Sequence, residues 1–111
     1  MKMPLTKESE KLLRGRFPCF VKAEQAIYDI LGVSLEDLRS DTHMPIFVEA
    51  RCLFWALCRD QVYPRYLISS YLDRDHSTGT YWNKFFEDRC DIDDSFVDLY
   101  KRLTLEFNKL V

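Results

Sequence analysis

Residues 73–82 read Asp-Arg-Asp-His-Ser-Thr-Gly-Thr-Tyr-Trp. Side chains that form hydrogen bonds fill the first half of this stretch, and aromatic residues then recur at spacings of three and four as far as Phe86. The pattern predicts a helix from His76 to about Arg89, with Asp75 as its N-cap, an aromatic core face and a polar tip. Such a helix can read base edges in the major groove of DNA, and an ordinary capped core helix has the same local pattern.

A short apolar segment comes before this stretch. Pro64 restarts the chain as the first residue of a helix, and that helix runs to Leu72 with Leu67 and Ile68 facing the core. Residues 73–75 then form a tight turn. Two helices joined by so short a turn, the second with a polar tip, predict a helix-turn-helix.

The other elements are also predicted to be helical. The longest runs from about Ile46 to Val62 and is apolar on nearly all sides, which is typical of a central core helix. Asp91–Ser95 separate the polar-tipped helix from a last amphipathic helix. Caps and stops bound the helices before residue 40: Thr6 ahead of a helix to Arg14, Gly32 after a helix from Cys19 to Leu31, and Ser34 with Asp37 as a capping box.

Length and composition limit the organisation of the chain. With 111 residues, three glycines and four prolines, it is expected to form one compact all-α domain with one core. We predict a basic helical extension over residues 1–18 and a helix-turn-helix domain over residues 19–111. The chain contains no apolar run that could span a bilayer, and Met1-Lys2 is not followed by a signal segment, so a cytoplasmic protein without a membrane partner is expected.

Enzyme, metal and cofactor classes find no support in the residue pattern. The cysteines lack a Cys-x-x-Cys pair and a histidine at ligand spacing, so they are interpreted as reduced thiols that pack as small hydrophobic groups. No nucleophile–base pattern and no glycine-rich Lys-Ser/Thr motif is present. We therefore predict no catalytic residue, no metal, no cofactor and no nucleotide ligand. The four cysteines are Cys19, Cys52, Cys58 and Cys90.

Charge is unevenly distributed along the chain. Residues 1–22 carry a balance of +4, residues 23–50 of −5, residues 51–89 of +1 and residues 90–111 of −2. An acidic protein can still bind DNA if its positive charge is collected on one face. On the long helix, Arg51, Trp55 and Arg59 recur every four residues; this stripe either faces phosphates or is a solvated edge with a core tryptophan.

Four segments occur in the order found in one known family. They are Tyr28–Leu38, Ala50–Leu57, Tyr66–Thr78 with the core Arg-Asp-His-Ser-Thr, and Asp94–Leu99. Together they resemble the C-terminal DNA-binding domain of the bacterial replication initiator DnaA, over about residues 20–106. The resemblance implies a helical domain with a Trp-repressor-like helix-turn-helix that binds double-stranded DNA at short sites such as those of replication origins.

The resemblance also implies roles for particular residues. It assigns base reading to the start of the polar-tipped helix, where carboxylate, imidazole and hydroxyl groups suit base edges, and it places a hydroxyl and arginines at phosphates. The base-reading candidates are Asp75, His76, Ser77 and Thr80. The phosphate-binding candidates, which include further basic residues chosen from the charge distribution, are Arg51, Arg59, Arg65, Arg74, Thr78 and Lys84.

The chain departs from the family at several points. No segment of the 111 residues matches the family's nucleotide-hydrolysing module, and residues 39–49 stand in place of the basic loop before the long helix, with Asp41 and Glu49 against one arginine and one histidine. Gly79 stands in place of an aliphatic residue and Trp82 in place of a small one, which predicts a compensating exchange of volume. The departures and the acidic charge favour an alternative: a degenerate DnaA-like domain that binds a protein partner and not DNA.

Overall fold

The computed structural model describes residues 5–110, and within this range the chain forms seven α-helices and no strand. The all-α prediction is therefore confirmed. A radius of gyration of 13.0 Å is that of a single folded domain of about this length. The helices are α1 (Lys7–Arg16), α2 (Cys19–Leu31), α3 (Leu35–Arg39), α4 (Pro45–Cys58), α5 (Tyr66–Tyr71), α6 (Thr78–Ile92) and α7 (Asp94–Lys109).

Local hydrogen bonds fix the starts of α1 and α3 and the end of α2 as the sequence predicted, whereas α1 runs to Arg16, two residues beyond the predicted end at Arg14. The Thr6 and Ser34 hydroxyls each accept from a backbone N–H three residues later at 3.1 Å, completing capping boxes at α1 and α3. Gly32 ends α2 with φ of 70°, a left-handed conformation in which a side chain would be strained. Residues 1–4 of the predicted N-terminal extension lie outside the described residues, and the division at residue 18 stays a prediction.

The centre of the fold is α4. Its nine residues from Ala50 to Cys58 are all buried, and α4 contacts α2, α3, α5, α6 and α7. The predicted extension of this helix to Val62 was wrong, because a turn begins at Arg59 and the chain must leave the helical conformation before Pro64. The first helical residue of α5 is Tyr66 rather than Pro64.

An aromatic stack joins α2, α4 and α5. The ring centroids of Phe20 in α2 and Tyr71 in α5 are 4.4 Å apart, and Phe54 in α4 lies 6.0 Å from Tyr71. The Tyr71 hydroxyl donates to Glu24 at 3.0 Å and accepts from Arg14 at 2.8 Å, which ties α1 to this core. Burial raises the pKa of Tyr71, so the hydroxyl stays protonated and remains a donor.

A single residue, Asp93, separates α6 from α7. Its backbone N–H donates to the backbone oxygen of Arg89 and closes α6, while its carboxylate accepts from the Phe96 N–H at 3.2 Å and begins α7. The predicted separation over Asp91–Ser95 was therefore too long. One face of α7, with Phe96, Leu103 and Phe107 buried, packs on α2 and α6.

The cysteines serve the core as predicted. Cys19, Cys52 and Cys58 are buried and Cys90 is partly buried, and all four are free thiols. Burial raises the pKa of Cys52 to about 12, which keeps this thiol neutral.

Candidate nucleic-acid interface

The predicted recognition helix begins two residues later than the sequence indicated. Helix α5 ends at Tyr71, six residues form a turn, and α6 begins at Thr78. The Asp75 carboxylate accepts from the Ser77 N–H at 3.1 Å and from the Ser77 hydroxyl at 3.0 Å. Both bonds lower the pKa of Asp75, and the bond from the Ser77 backbone N–H has the larger effect. They close a local turn at the place where Asp75 was expected to cap a helix starting at His76, so that prediction was wrong.

The start of α6 lies against α4 at unusually short range. A Cβ atom at Gly79 would stand 2.4 Å and 2.6 Å from two ring atoms of Trp55 and 3.1 Å from the Ser69 hydroxyl. A side chain at this position therefore cannot fit without displacing the tryptophan ring. Trp82, one turn later, lies 6.5 Å from Trp55 between ring centroids. The space at residue 79 is taken up by Trp55, a partner that the sequence did not single out.

Asn83 joins α6 to the side of α4 that carries Trp55, through side-chain hydrogen bonds. Its side-chain oxygen accepts from the Trp55 indole N–H at 3.1 Å and from Arg59 at 2.9 Å, and its amide donates to Glu87 at 3.0 Å. Trp55 is buried, so the interpretation of the α4 stripe as an edge with a core tryptophan is the correct one for this residue. No sequence pattern marked Asn83, although its spacing of four from Glu87 is that of a helical side-chain pair.

The four base-reading candidates fall into two groups. Ser77 and Thr80 are exposed, whereas Asp75 and His76 are half-buried. The His76 ring lies 4.4 Å from the Tyr66 ring, and its Nε2 atom is buried with no hydrogen-bond partner among the described residues. The imidazole is therefore turned partly toward α5 and away from the exposed tip.

Arg51 is part of the fold. It is 4% exposed, and its guanidinium donates to the backbone oxygens of Leu38 at 2.8 Å, Ser40 at 2.8 Å and Thr42 at 2.9 Å. Burial, with neighbouring Arg74 as a smaller cause, lowers the pKa of Arg51. The prediction that Arg51 holds a phosphate is corrected, because a guanidinium enclosed in this way cannot reach one.

Arg74 has a similar position. Its guanidinium donates to the backbone oxygens of Arg39 at 3.0 Å and Leu72 at 3.2 Å, and it also donates to the backbone oxygen of Ser40. The side chain thus connects the turn before α6 to the end of α3. Because the side chain is only half-buried, its role as a phosphate ligand stays a prediction.

The other phosphate candidates remain at the surface to different degrees. Arg59 is half-buried beneath Asn83, and Thr78 is half-buried in the first turn of α6. Arg65 is exposed, donates to the backbone oxygen of Arg59 at 2.8 Å and lies 3.4 Å from the Asp60 carboxylate. The Lys84 side chain is 78% exposed and pairs with Asp88 at 3.4 Å, a surface pair that solvent weakens.

Tyr81 belongs to this surface and was missed by the sequence reasoning. It is 58% exposed on α6, although aromatic spacing had placed it in the core. A concavity of about 230 Å³ lies between α6 and the loop that precedes α4. The residues that line it are His43, Val48, Arg51, Arg74, Thr78, Tyr81 and Trp82.

Within residues 5–110 no helix has the length and apolar character needed to cross a membrane. The same residues bring together no group of three acidic, histidine or cysteine side chains that could hold a metal ion. Comparison of the chain with protein-family models, with curated proteins and with solved structures finds no match.

Proposed function

We propose that this protein binds double-stranded DNA through α5 and α6, as a helix-turn-helix in which α6 enters the major groove. The observation that carries the proposal is the set of exposed residues at the start of α6. Ser77, Thr80, Tyr81 and Lys84 are all exposed and follow the spacing i, i+3, i+4 and i+7, which places them on one face.

The opposite face of α6 is an anchor. Gly79, Trp82 and Phe86 are buried, and the first of these lies directly against Trp55. A helix held firmly on one side presents its polar face to a groove in a fixed orientation, which lowers the ordering cost of binding. Residues 78–85, the first two turns of α6, contain no Asp or Glu. The firm packing of the helix and the absence of negative charge on these turns support recognition of a nucleic acid.

The chemistry of the exposed face suits both kinds of DNA contact. The Thr80 hydroxyl can donate to or accept from a base edge, and the Lys84 ammonium can reach a phosphate or a guanine. Arg65, at the start of α5, supplies a further cation beside the groove. Asp75 and His76 stay candidates at the edge of this face, as the resemblance to the DnaA domain implies.

Fluorescence anisotropy tests the proposal with an origin-type duplex, a scrambled duplex and a series of salt concentrations. We expect tighter binding to the origin-type duplex, and a log–log salt slope of about −0.9 for each phosphate contact. Thr80→Ala is expected to reduce the preference between the duplexes. Lys84→Ala is expected to weaken binding to both duplexes and to reduce the magnitude of the salt slope by about 0.9, the value for one phosphate contact.

Lys101→Ala is the matched control, because Lys101 is an exposed lysine on α7 and the change removes the same charge. Equal effects of the two lysine substitutions would show that binding is not directed by α6. Negligible binding to both duplexes at low salt would remove the proposal.

A second function, a protein-interaction module without DNA binding, is favoured by a different observation. An apolar groove of about 210 Å³ lies between α1 and α5, and Leu12 beside it is 73% exposed. Exposed apolar surface of this kind is common at protein interfaces. This alternative predicts that no duplex binds at any salt concentration, so the same titration separates the two functions.

A further inference from the structure

Two exposed tyrosines flank an exposed arginine just before and at the start of α5. Tyr63 is 83% exposed and Tyr66 is 40% exposed, with Arg65 exposed between them. We call Tyr63, Arg65 and Tyr66 the aromatic rim. An exposed aromatic ring does not gain the stabilisation that burial provides. Here two such rings lie next to the Arg65 cation. Aromatic rings interleaved with positive charge are the usual platform for the bases of single strands.

A concavity of about 390 Å³ opens beside the rim, within the size range of sites for small planar ligands. Tyr66 and His76, whose rings are 4.4 Å apart, line it together, and the buried Nε2 atom of His76 has no hydrogen-bond partner among the described residues. The Thr80 hydroxyl and the Asn83 amide add polar groups to the wall. The concavity therefore combines flat apolar surface with groups that can hydrogen-bond to a base.

We propose that the aromatic rim and this concavity bind unpaired nucleotides of single-stranded nucleic acid. One base stacks on the exposed ring of Tyr63, and the next base enters the concavity against Tyr66. Arg65 contacts the phosphate between the two bases. Stacking requires no particular base, so the site binds with little sequence preference. The site shares Arg65 and Thr80 with the surface proposed for duplex binding, but the Tyr63 ring belongs to the single-strand site alone.

The charge at the rim distinguishes nucleic acid from the other ligand that exposed tyrosines take, a proline-rich peptide. Arg65 supplies a cation where a sugar–phosphate chain would pass. Asp60 partly neutralises it, because the two side chains lie 3.4 Å apart and the Asp60 side chain is 81% exposed. Removing this carboxylate frees Arg65 and lowers the repulsion felt by a phosphate, so Asp60→Asn should strengthen the binding of a single strand.

The test is fluorescence anisotropy of the full chain with a labelled 15-nucleotide oligothymidine at low salt. We expect Tyr63→Ala to weaken binding about tenfold, as removal of one stacking ring does in single-strand sites. Tyr63→Phe keeps the ring and should bind like the unaltered protein. Asp60→Asn should bind more tightly.

Tyr28→Ala is the matched control, because Tyr28 is also an exposed tyrosine and lies on α2, away from the rim. Tyr63 is 83% exposed, so its loss should leave the unfolding transition in place. Absence of oligothymidine binding, or equal binding by Tyr63→Ala, overturns the proposal. Tyr63-dependent binding of a ten-residue polyproline peptide without binding of oligothymidine also overturns it.

The two activities can fail independently. Lys84→Ala should weaken duplex binding and leave oligothymidine binding unchanged, while Tyr63→Ala should do the reverse. Duplex binding that survives in Tyr63→Ala, with no oligothymidine binding in any variant, would leave the duplex proposal standing and remove this one.

Discussion

The corner between α3 and α4 and the exposed face of α6 both carry basic residues, but they use them differently. At the corner, Arg51 and Arg74 donate to backbone oxygens at the end of α3 and in the following loop. On the α6 face, Lys84 extends into solvent. A five-residue helix such as α3 leaves most of its carbonyl groups without helical partners, and arginine donors satisfy them. An arginine in the sequence therefore indicates DNA binding only if its guanidinium is not already bonded to backbone oxygens of the fold.

The largest effect is expected at the corner. Arg51→Met fills much of the same space but leaves the backbone oxygens of Leu38 and Thr42 without their donor, while Ser40 keeps its bond from Arg74. Because a buried polar group that loses its partner costs about 1–3 kcal/mol, the loss of two partners should destabilise the fold by at least ~2 kcal/mol. Urea denaturation followed by circular dichroism measures it. A change below ~1 kcal/mol would mean that the corner does not depend on this guanidinium.

A somewhat smaller effect is expected where α6 meets α4. Gly79→Ala forces the Trp55 ring to move, and overpacking of this kind costs about 1–3 kcal/mol. Trp55→Phe removes the ring atoms that an alanine side chain would meet. The double variant should therefore be destabilised by less than the sum of the two single variants, as a double-mutant cycle can measure. Additive losses would show that the two residues are not in conflict.

Arg74 tests whether the corner arginines act alike. This side chain is only half-buried, so the backbone oxygens that it leaves can be hydrated, and Arg74→Met should cost about 1–2 kcal/mol. Thermal unfolding compared with that of Arg51→Met measures the difference. A loss of unfolding free energy as large as that of Arg51→Met would show that the two arginines contribute equally to stability despite their different burial.

The smallest effect on stability is expected on the α6 face. Lys84→Ala removes a solvated side chain from a weak pair with Asp88, so stability should change by no more than ~0.5 kcal/mol. The same variant should reduce duplex affinity if the proposed function is correct. A large loss of stability here would erase the contrast between the two regions.

Much of the fold follows from local sequence signals. The bounds of α2 were predicted from its apolar spacing and from Gly32, while a cap at Thr6 and a capping box at Ser34 located the starts of α1 and α3. These features depend on residues a few positions apart, which a sequence displays directly. Apart from that of Arg51, the burial of Ala50–Cys58 followed from an all-round apolar helix.

The candidate site was less predictable because its partners are distant in sequence. Arg51 is buried against carbonyl groups, and backbone oxygens have no signature in a sequence. The start of α6 was misplaced because the bond from Ser77 to Asp75 competes with helix capping, and both use the same residue types. The exposure of Tyr81 and the role of Asn83 depend on how α6 is rotated about its axis, which residue spacing alone left open.

The close approach of Gly79 to Trp55 also restricts how this protein can change over generations. A larger residue at position 79 is tolerated only after the indole has been replaced by a smaller ring, because the reverse order passes through a crowded intermediate. Positions 55 and 79 are thus expected to vary together among descendants of this chain, with the tryptophan lost first.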